Sequence, residues 1–256
     1  MNLPYFEYEK ITAAVRAQEF TPYFQPQICA KTFRMSGVEV LGRWTKPGSV
    51  LLPQQFLPPA EAFGLMVDID LSLYSQAEDI LSGLRDRGVH VPRHSFNVTT
   101  KGLRDSRVIE FFQSQVADPA SVSIEILESI ALEEPNAGID DAILALKDLG
   151  YSIELDDFGS MHASLLAYVR IHPDRIKIDQ RLVSAASLGQ RFINVLRLVI
   201  DLAHSWGIEV IAEGVETSKQ VDVLSSLGCN HFQGYYFTQA VDGATIESFI
   251  KEIGTV

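Results

Sequence analysis

Eight short apolar runs, separated by amphipathic stretches, are the feature of this 256-residue chain that most limits its fold. Several runs are rich in β-branched or aromatic residues, and the alternation predicts a parallel sheet wrapped by helices. The predicted strands are Tyr23–Ile28, Met35–Leu41, Ser95–Val98, Ser121–Ile126, Tyr151–Leu155, Arg175–Ile178, Ile208–Ala212 and Cys229–Phe232. Eight strands with interleaved helices in about 250 residues predict an α/β protein with a TIM-type (β/α)8 barrel.

Helical patterns fill the gaps between these runs. The predicted helices are Phe56–Gly64, Asp68–Arg87, Asp105–Val116, Gly138–Leu149, Leu188–Trp206, Ser218–Leu227 and Thr245–Ile253. Too few residues separate the first two strands for a helical crossover, so this pair is predicted to be antiparallel and the barrel to be a variant one. A doubly wound open sheet is the alternative, but no G-x-G-x-x-G follows the first strands. Without a linker or repeat, a single domain is expected over residues 1–256, with its core at about 20–250.

Charge and composition exclude several classes of partner. The chain has 21 Lys and Arg against 33 Asp and Glu, a net charge of −12, so we expect no binding of DNA or RNA polymers or of anionic lipid. Cys29 and Cys229 form no CxxC pair, which suits a reducing compartment, and a cytoplasmic location is expected. The best apolar stretch, 192–200, contains Asn194 and Arg197, so no membrane segment is predicted.

Polar residues interrupt the apolar strands near their ends, where a TIM-type barrel builds its active site. They are Gln25, Glu39, Asn97, Glu125, Asp156, Asp157, Lys177, Glu213 and Gln233. Any one of them is as compatible with a solvated outward position or a salt bridge, but their recurrence on almost every strand favours a shared site. Converging carboxylates repel unless cations neutralise them, and carboxylates with an Asn, without Cys or His spacing, indicate Mg²⁺ or Mn²⁺.

The two aspartates, the lysine and a nearby arginine, Arg43, are each open to two interpretations. Adjacent Asp156 and Asp157 allow one carboxylate to bridge two ions, as two-metal phosphoryl chemistry requires, but an Asp here also suits a helix N-cap. Lys177 within an apolar strand indicates a lysine paired with carboxylates or a reacting water, although an outward orientation stays open. Arg43 suits a phosphate oxygen or a surface ion pair. No G-x-S-x-G elbow, Walker loop or zinc-type histidine spacing is present.

Nine segments in order resemble the EAL-domain cyclic di-GMP phosphodiesterases, from Phe20 to about Phe249. They are FQPQ at 24–27, EVLGRW at 39–44, FLPPAEAFGL at 56–65, FNVT at 96–99, IEILES at 124–129, DDFGS at 156–160, KID at 177–179, AEGVET at 212–217 and LGCNHFQGYYF at 227–237. The resemblance implies one EAL-type domain, a (β/α)8 barrel with one antiparallel strand, two Mg²⁺ or Mn²⁺ ions, and hydrolysis of cyclic di-GMP to linear pGpG. It also implies a homodimer, and a regulatory domain or partner protein.

The resemblance also implies a role for each matching residue. Metal ligands would be Glu39, Asn97, Glu125 and Asp156 for one ion, and Asp156, Asp157 and Glu213 for the second. Lys177 would orient the attacking water and Glu213, or a neighbour bound to the metal, would take its proton. Ligand contacts would come from Gln25, Leu41, Arg43 and Gln233, and Glu216 and Gln233 would support metal-bound waters. Glu128 would anchor the loop after the Asp pair through the Ser160 hydroxyl.

Three positions depart from the family pattern. Val40 replaces an alanine, Ala240 replaces a proline, and the loop 158–165 has Met161 and His162 where the family has Gly and Tyr. Because Met restricts backbone angles that Gly allows, the altered loop suggests an alternative function, a cyclic di-GMP receptor with weak or no turnover. A third hypothesis is another metal-dependent barrel enzyme, of the enolase or phosphotriesterase type.

Overall fold

The structure is a closed barrel with an appended hairpin strand. This computed structural model describes residues 5–128, 130, 137–159 and 169–256. Its strands are β1 Phe20–Cys29, β2 Met35–Lys46, β3 Ser49–Leu51, β4 His94–Asn97, β5 Val122–Leu127, β6 Ser152–Phe158, β7 Arg175–Ile178, β8 Glu209–Ala212 and β9 His231–Phe232. The sheet order is β1-β9-β8-β7-β6-β5-β4-β2-β3, and an additional β1–β2 pairing closes eight strands into a barrel with β3 outside it.

One strand runs against the others. β1 pairs antiparallel with both β2 and β9, while the pairs from β2–β4 round to β8–β9 are parallel. The TIM-type (β/α)8 barrel with one antiparallel strand is therefore confirmed, as is the antiparallel pairing of the first two strands. The open doubly wound sheet is wrong because β1 joins β2 to β9 and leaves the barrel strands without an edge.

Helices cover the outside of the barrel. They are α1 Tyr5–Arg16, α2 Pro53–Ala62, α3 Met66–Asp86, α4 Thr100–Leu103, α5 Ser106–Ser114, α6 Ala137–Asp148, α7 Gln180–Ala185, α8 Gln190–Ser205, α9 Ser218–Ser226 and α10 Gly243–Ile253. The sequence analysis missed β3, α1, α4 and α7. The last two are only 4 and 6 residues long, too short for a periodic pattern, and a side-chain cap from Thr99 or Asp179 begins each of them.

Strand ends also differ from prediction. β1 and β2 extend to Phe20 and Lys46, since their hairpin pairing continues from Gln27–Gly37 to Phe20–Trp44. β9 is shorter than predicted. The Cys229 N–H donates to the carbonyl of Leu224 in α9, so this residue closes the helix and does not extend the strand.

Alternation along the barrel strands separates an apolar outside from a polar inside. On β7, Ile176 and Ile178 are buried in the main apolar core, whereas Arg175 and Lys177 are buried among charged and polar groups. Side chains two positions apart share a face of a strand, so the two cations lie inside the barrel. Branched apolar side chains usually fill such an interior. Here charged and polar side chains occupy the interior instead, so the carboxyl end of the barrel holds groups that can take part in chemistry.

A second, smaller core lies beside the barrel and holds α1 in place. Phe20, Trp44 and Phe56 form its centre, with the Phe20 ring centroid 5.1 Å from that of Trp44 and 5.2 Å from that of Phe56. Ile11 of α1 packs into the same cluster. This packing fixes α2 against the end of β2, close to the predicted ligand-binding residues.

Candidate active site

The centre of the candidate site is Lys177, which is 1% exposed and points into the barrel. Its ammonium nitrogen ion-pairs with four carboxylates, with N···O distances of 2.8 Å to Glu125, 2.8 Å to Glu213, 3.1 Å to Glu39 and 3.5 Å to Asp156. The carboxylates come from β2, β5, β6 and the segment after β8. The outward orientation of Lys177 is therefore wrong, because three strands of the closed barrel and the segment after a fourth bring their acids to this one cation.

Amide and hydroxyl groups orient these acids. The Asn97 amide donates to Glu39 Oε1 at 2.9 Å, and the Gln233 amide donates to Glu39 Oε2. The buried Ser95 hydroxyl donates to Glu125 Oε1, and the Gln27 amide donates to Gln233 Oε1 at 3.2 Å. Glu39 and Glu125 are thus each held in one orientation. The sequence analysis missed Ser95 and Gln27, although Gln27 lies on the same strand face as Gln25, two positions away.

A local irregularity positions the two adjacent aspartates. The β6–β7 register shifts between Leu155 and Phe158, and Asp157 has a φ of 60°. A β-bulge re-aims side chains, and a left-handed residue other than Gly is uncommon outside functional sites. The Asp157 N–H also donates to Asp156 Oδ1 at 2.9 Å. As a result, carboxylate oxygens of Asp156, Asp157 and Glu213 lie within 4.8 Å of one another, a suitable arrangement for a metal ion.

The acids outnumber the single lysine, and the pKa values of three of them are raised. Burial, with the Glu39 charge adding to it, raises the pKa of Glu125 well above its usual range despite Lys177. Burial also raises the pKa of Asp156, and it raises that of Glu213 to about 8 against the pull of Lys177. Burial opposes ionisation of Glu39 too, but Lys177 and the amides of Gln233 and Asn97 outweigh it and lower that pKa. A site with excess negative charge attracts cations.

Asp179 borders the same cluster and was not selected from the sequence, although it belongs to the KID segment. Its carboxylate caps α7 by accepting from the Arg181 N–H at 2.7 Å and pairs with the Arg181 guanidinium. Burial, then the charges of Asp156 and Asp179, raise the pKa of Asp157. Asp157 therefore sits between two other acids, which strengthens the demand for a counter-ion.

The mouth opens as a cavity of about 300 Å³. Its lining includes the predicted residues Gln25, Glu39, Leu41, Asp157, Glu213, Glu216 and Gln233, together with Tyr235. Arg43 does not line it. The Arg43 guanidinium lies 5.5 Å from the centroid of the Tyr23 ring, donates to the Gly42 carbonyl and makes no ion pair with a described residue. The surface ion pair considered for Arg43 is thus not formed within the described part of the chain.

A side pocket of about 320 Å³ adjoins Glu39 and Asn97 and is largely apolar. Asp70 of α3 lines it and is 9% exposed, and its carboxylate makes no hydrogen bond to a described residue. Burial raises the pKa of Asp70 to about 7. The sequence analysis missed this residue, because an Asp within an amphipathic helix is normally a solvated one.

Glu128 and Ser160 were predicted to anchor the loop after the Asp pair. Glu128 is buried, 3% exposed, directly after β5. Ser160, its predicted partner, lies outside the described residues, as do Met161 and His162. The loop 158–165 is therefore described only at Phe158 and Gly159, and the Glu128–Ser160 contact stays a prediction.

Fold and site together define a class of protein, a (β/α)8 barrel with an acidic, lysine-centred mouth. The EAL domain family model matches residues 9–240, and the chain belongs to this family. Cyclic di-GMP phosphodiesterase PdeL of Escherichia coli (strain K12) is 30% identical over 95% of this chain and 68% of its own length. Among solved structures, the c-di-GMP complex of the PaMucR phosphodiesterase has a TM-score of 0.85 and 25% identity, covering 94% of this chain and 99% of that one.

A second solved structure contains a metal. The manganese and cy-diGMP complex of BlrP1 from Klebsiella pneumoniae has a TM-score of 0.75 and 26% identity, covering 87% of this chain and 56% of that one. Two other curated relatives, an oxygen sensor and a signalling protein, are 29% and 28% identical, and the chain spans only 30% of the length of each. Within the described residues, no helix combines the length and the apolar character needed to cross a bilayer.

Proposed function

We infer that this chain hydrolyses cyclic di-GMP to linear pGpG with the help of two divalent cations, Mg²⁺ or Mn²⁺. The observation that carries the proposal is the arrangement around Lys177, where four carboxylates and the adjacent Asp157 meet at the mouth of the barrel. The names of the relatives support the substrate, since PdeL is a cyclic di-GMP phosphodiesterase and the PaMucR and BlrP1 structures contain the nucleotide.

The residues present fit divalent cations. A single ammonium group faces four carboxylates, and burial, with the neighbouring acids adding to it, raises the pKa values of Glu125, Asp156 and Glu213, so that a bound cation would favour their ionised forms. The donor set, carboxylates and an amide, is that of a hard cation. We assign Glu39, Asn97, Glu125 and Asp156 to one ion and Asp156, Asp157 and Glu213 to the second. Bound there, such ions lower the pKa of water and offset the charge on phosphate oxygens.

The chain's own groups then orient and deprotonate the water. Lys177 Nζ is held at 2.8 Å by both Glu125 and Glu213, which fixes its ammonium group in a position from which it can donate a hydrogen bond to the attacking oxygen. Glu213, whose carboxylate lies 2.8 Å from Lys177 Nζ, or a neighbour bound to the metal, is assigned to accept the proton. Gln233, through its contact with Glu39, keeps the first carboxylate in place.

Recognition of the nucleotide ring uses the mouth and the side pocket. Gln25 and Leu41 line the mouth, where Tyr235 offers an exposed ring for stacking a base. Asp70 gives the side pocket a carboxylate for the N1–H and N2–H donors of a guanine. Arg43, stacked on Tyr23 just outside the mouth, is assigned to a phosphate or base reaching the rim.

A product assay tests the proposal. Cyclic di-GMP is incubated with the chain in Mg²⁺, Mn²⁺ or Ca²⁺, and pGpG is separated by chromatography. We expect pGpG with Mg²⁺ or Mn²⁺, and a loss of at least about 100-fold in rate for Asp156→Asn. The matched control is Glu252→Gln, an exposed acid on α10, which keeps the parental rate. Tight nucleotide binding without product in every metal would instead establish the receptor function. Homodimerisation, a regulatory partner and a cytoplasmic location stay predictions.

A further inference from the structure

Two side-chain contacts inside the barrel link β2 to β9, or to the residue directly after β9, across β1, which lies between these strands. One contact, at the mouth, is the hydrogen bond from the Gln233 amide to Glu39. The other lies nearer the amino-terminal end, where the Ser36 hydroxyl is hydrogen-bonded to His231 Nδ1 at 2.8 Å. Ser36 comes three residues before Glu39, and His231 comes two residues before Gln233. The second contact therefore joins the same strands directly beneath the candidate site.

A β-bulge turns the side chain of Ser36 into the barrel. Gln27 of β1 pairs with Gly37, whereas the next residue of β1 pairs with Met35, so Ser36 is an extra residue on β2. In a regular strand, the residue before Gly37 would point to the opposite face, toward the apolar core outside the barrel. Ser36 instead is 4% exposed and contacts polar groups. Bulges re-aim side chains in this way, and this one supplies a hydroxyl to the barrel interior.

Gln27 lies between the two contacts and is bonded to both. Its backbone carbonyl accepts from the Ser36 hydroxyl at 3.2 Å, and its side-chain amide donates to Gln233 Oε1 at 3.2 Å. Gly37 leaves room for that amide, since a Cβ atom at this position would lie 3.2 Å from Gln27 Oε1. A displacement of Ser36 is therefore passed to Gln233 through a single residue.

His231 is also held from its other side. Its Nε2 lies 3.4 Å from Glu209 Oε2, the same oxygen that accepts from Arg175 Nε at 2.9 Å. β9 has only two residues, and its pairing with β1 and with β8 consists of two residue pairs each. A strand this short has little backbone pairing to fix its position. The buried His231 ring therefore adds a side-chain constraint where β9 and β1 close the barrel.

We propose that Ser36 and His231 are positioning residues for Glu39, the carboxylate assigned above to the first metal ion. Their contact fixes β9 against β2, which keeps the Gln233 amide within reach of Glu39. That amide in turn holds the carboxylate in one orientation, as the partners of metal ligands do. The inference rests on the proposed two-metal function, but the hydrogen bond from Gln233 to Glu39 can be examined without metal.

Crystal structures of the metal-free chain test the positioning itself. Ser36→Ala removes the hydroxyl, and His231→Gln keeps an amide near the place of Nε2 but none near that of Nδ1. In both variants we expect the Gln233 nitrogen to move more than about 3.5 Å from Glu39. His231→Asn places an amide near the position of Nδ1 and is expected to retain the bond. A Gln233–Glu39 hydrogen bond that persists in both Ser36→Ala and His231→Gln would overturn the proposal.

Mn²⁺ affinity, measured by calorimetry without nucleotide, tests the consequence. Ser36→Ala and His231→Gln are expected to weaken Mn²⁺ binding by about tenfold, and His231→Asn to restore it. Turnover at saturating Mn²⁺ is expected to stay within about twofold of the parent, because only the orientation of a ligand has changed. A general packing defect would instead lower turnover at every Mn²⁺ concentration. Circular dichroism checks that each variant is folded.

Ser123→Ala is the matched control. Ser123 is a fully buried serine of β5, and its hydroxyl accepts from Arg93 at 3.3 Å and not from a group at the mouth. We expect parental Mn²⁺ affinity from this variant. An equal loss of affinity in Ser123→Ala and Ser36→Ala, or no loss in Ser36→Ala and His231→Gln, would contradict the proposal. If the parent chain forms no pGpG in any metal, the proposed function fails instead, and the metal-free structures still decide the positioning role.

Discussion

Lys177 Nζ lies 2.8 Å from Glu213 Oε1, a buried ion pair that joins β7 to the segment after β8 at the centre of the barrel mouth. The same ammonium group also pairs with Glu39, Glu125 and Asp156, so one positive charge is shared among four carboxylates. Removing one partner from a buried charge cluster leaves the rest uncompensated. Stability, metal binding and turnover are therefore coupled through this lysine.

Lys177→Met is expected to lower the free energy of unfolding in EDTA by about 3–5 kcal/mol, because four carboxylates lose their counter-ion. Urea denaturation measures the change. Lys251→Met is the control, since that exposed lysine ion-pairs with Glu247 on its own helix, a contact that contributes at most about 0.5 kcal/mol. Equal stability of the two variants would show that Lys177 is not the counter-ion of the cluster.

Mn²⁺ is expected to raise the melting temperature of the parent chain. Ions that bind only the folded state stabilise it by about 2.7 kcal/mol at one hundred times their dissociation constant. Asp157→Asn removes one acid from the cluster with Asp156 and Glu213 and is expected to reduce this shift. Scanning calorimetry with and without Mn²⁺ measures it, and Glu252→Gln again serves as the control. An undiminished shift in Asp157→Asn would exclude this carboxylate as a ligand.

Asp70 is expected to make stability fall between pH 4 and pH 7. Burial raises its pKa from 3.8 to about 7 in the folded chain, so the folded state holds the proton more tightly than the unfolded state does. The stabilisation is complete below about pH 4 and is lost as the pH rises through about 7. A shift of about three units corresponds to at most about 4 kcal/mol. Asp70→Asn is expected to flatten this part of the stability profile, measured by denaturation across the pH range; an unchanged slope would contradict it.

Gln27→Leu is expected to weaken activation by Mn²⁺ by about 10-fold or more while the fold persists. The Gln27 amide holds the Gln233 amide, whose nitrogen donates to Glu39, so its loss frees an assigned ligand to rotate. The Mn²⁺ concentration for half-maximal turnover is the measurement. Gln113→Leu, on the exposed face of α5, is the matched control and keeps the parental value. A change in stability without a change in metal dependence would leave Gln27 with a packing role only.

Much of the architecture was predictable because it depends on local pattern. Short apolar runs between amphipathic stretches identified the barrel strands, and the short gap between β1 and β2 predicted their antiparallel pairing. The short helices α4 and α7 were not predictable, because they depend on single capping contacts from Thr99 and Asp179. Polar residues within apolar strands also indicated which side chains to examine, and the structure gathers Glu39, Glu125 and Lys177 inside one barrel.

The sequence by itself determined the eight strands of the barrel and which polar residues interrupt them, since both follow from neighbours within a few positions of each other. Only the tertiary structure decided which of these residues contact one another. Lys177 and Glu125 are 52 positions apart and Gln27 and Gln233 are 206 apart. Such contacts depend on how the barrel closes and how its strands are staggered, which no local pattern encodes. For the same reason, the contact between Ser36 and His231 is visible only in the folded chain.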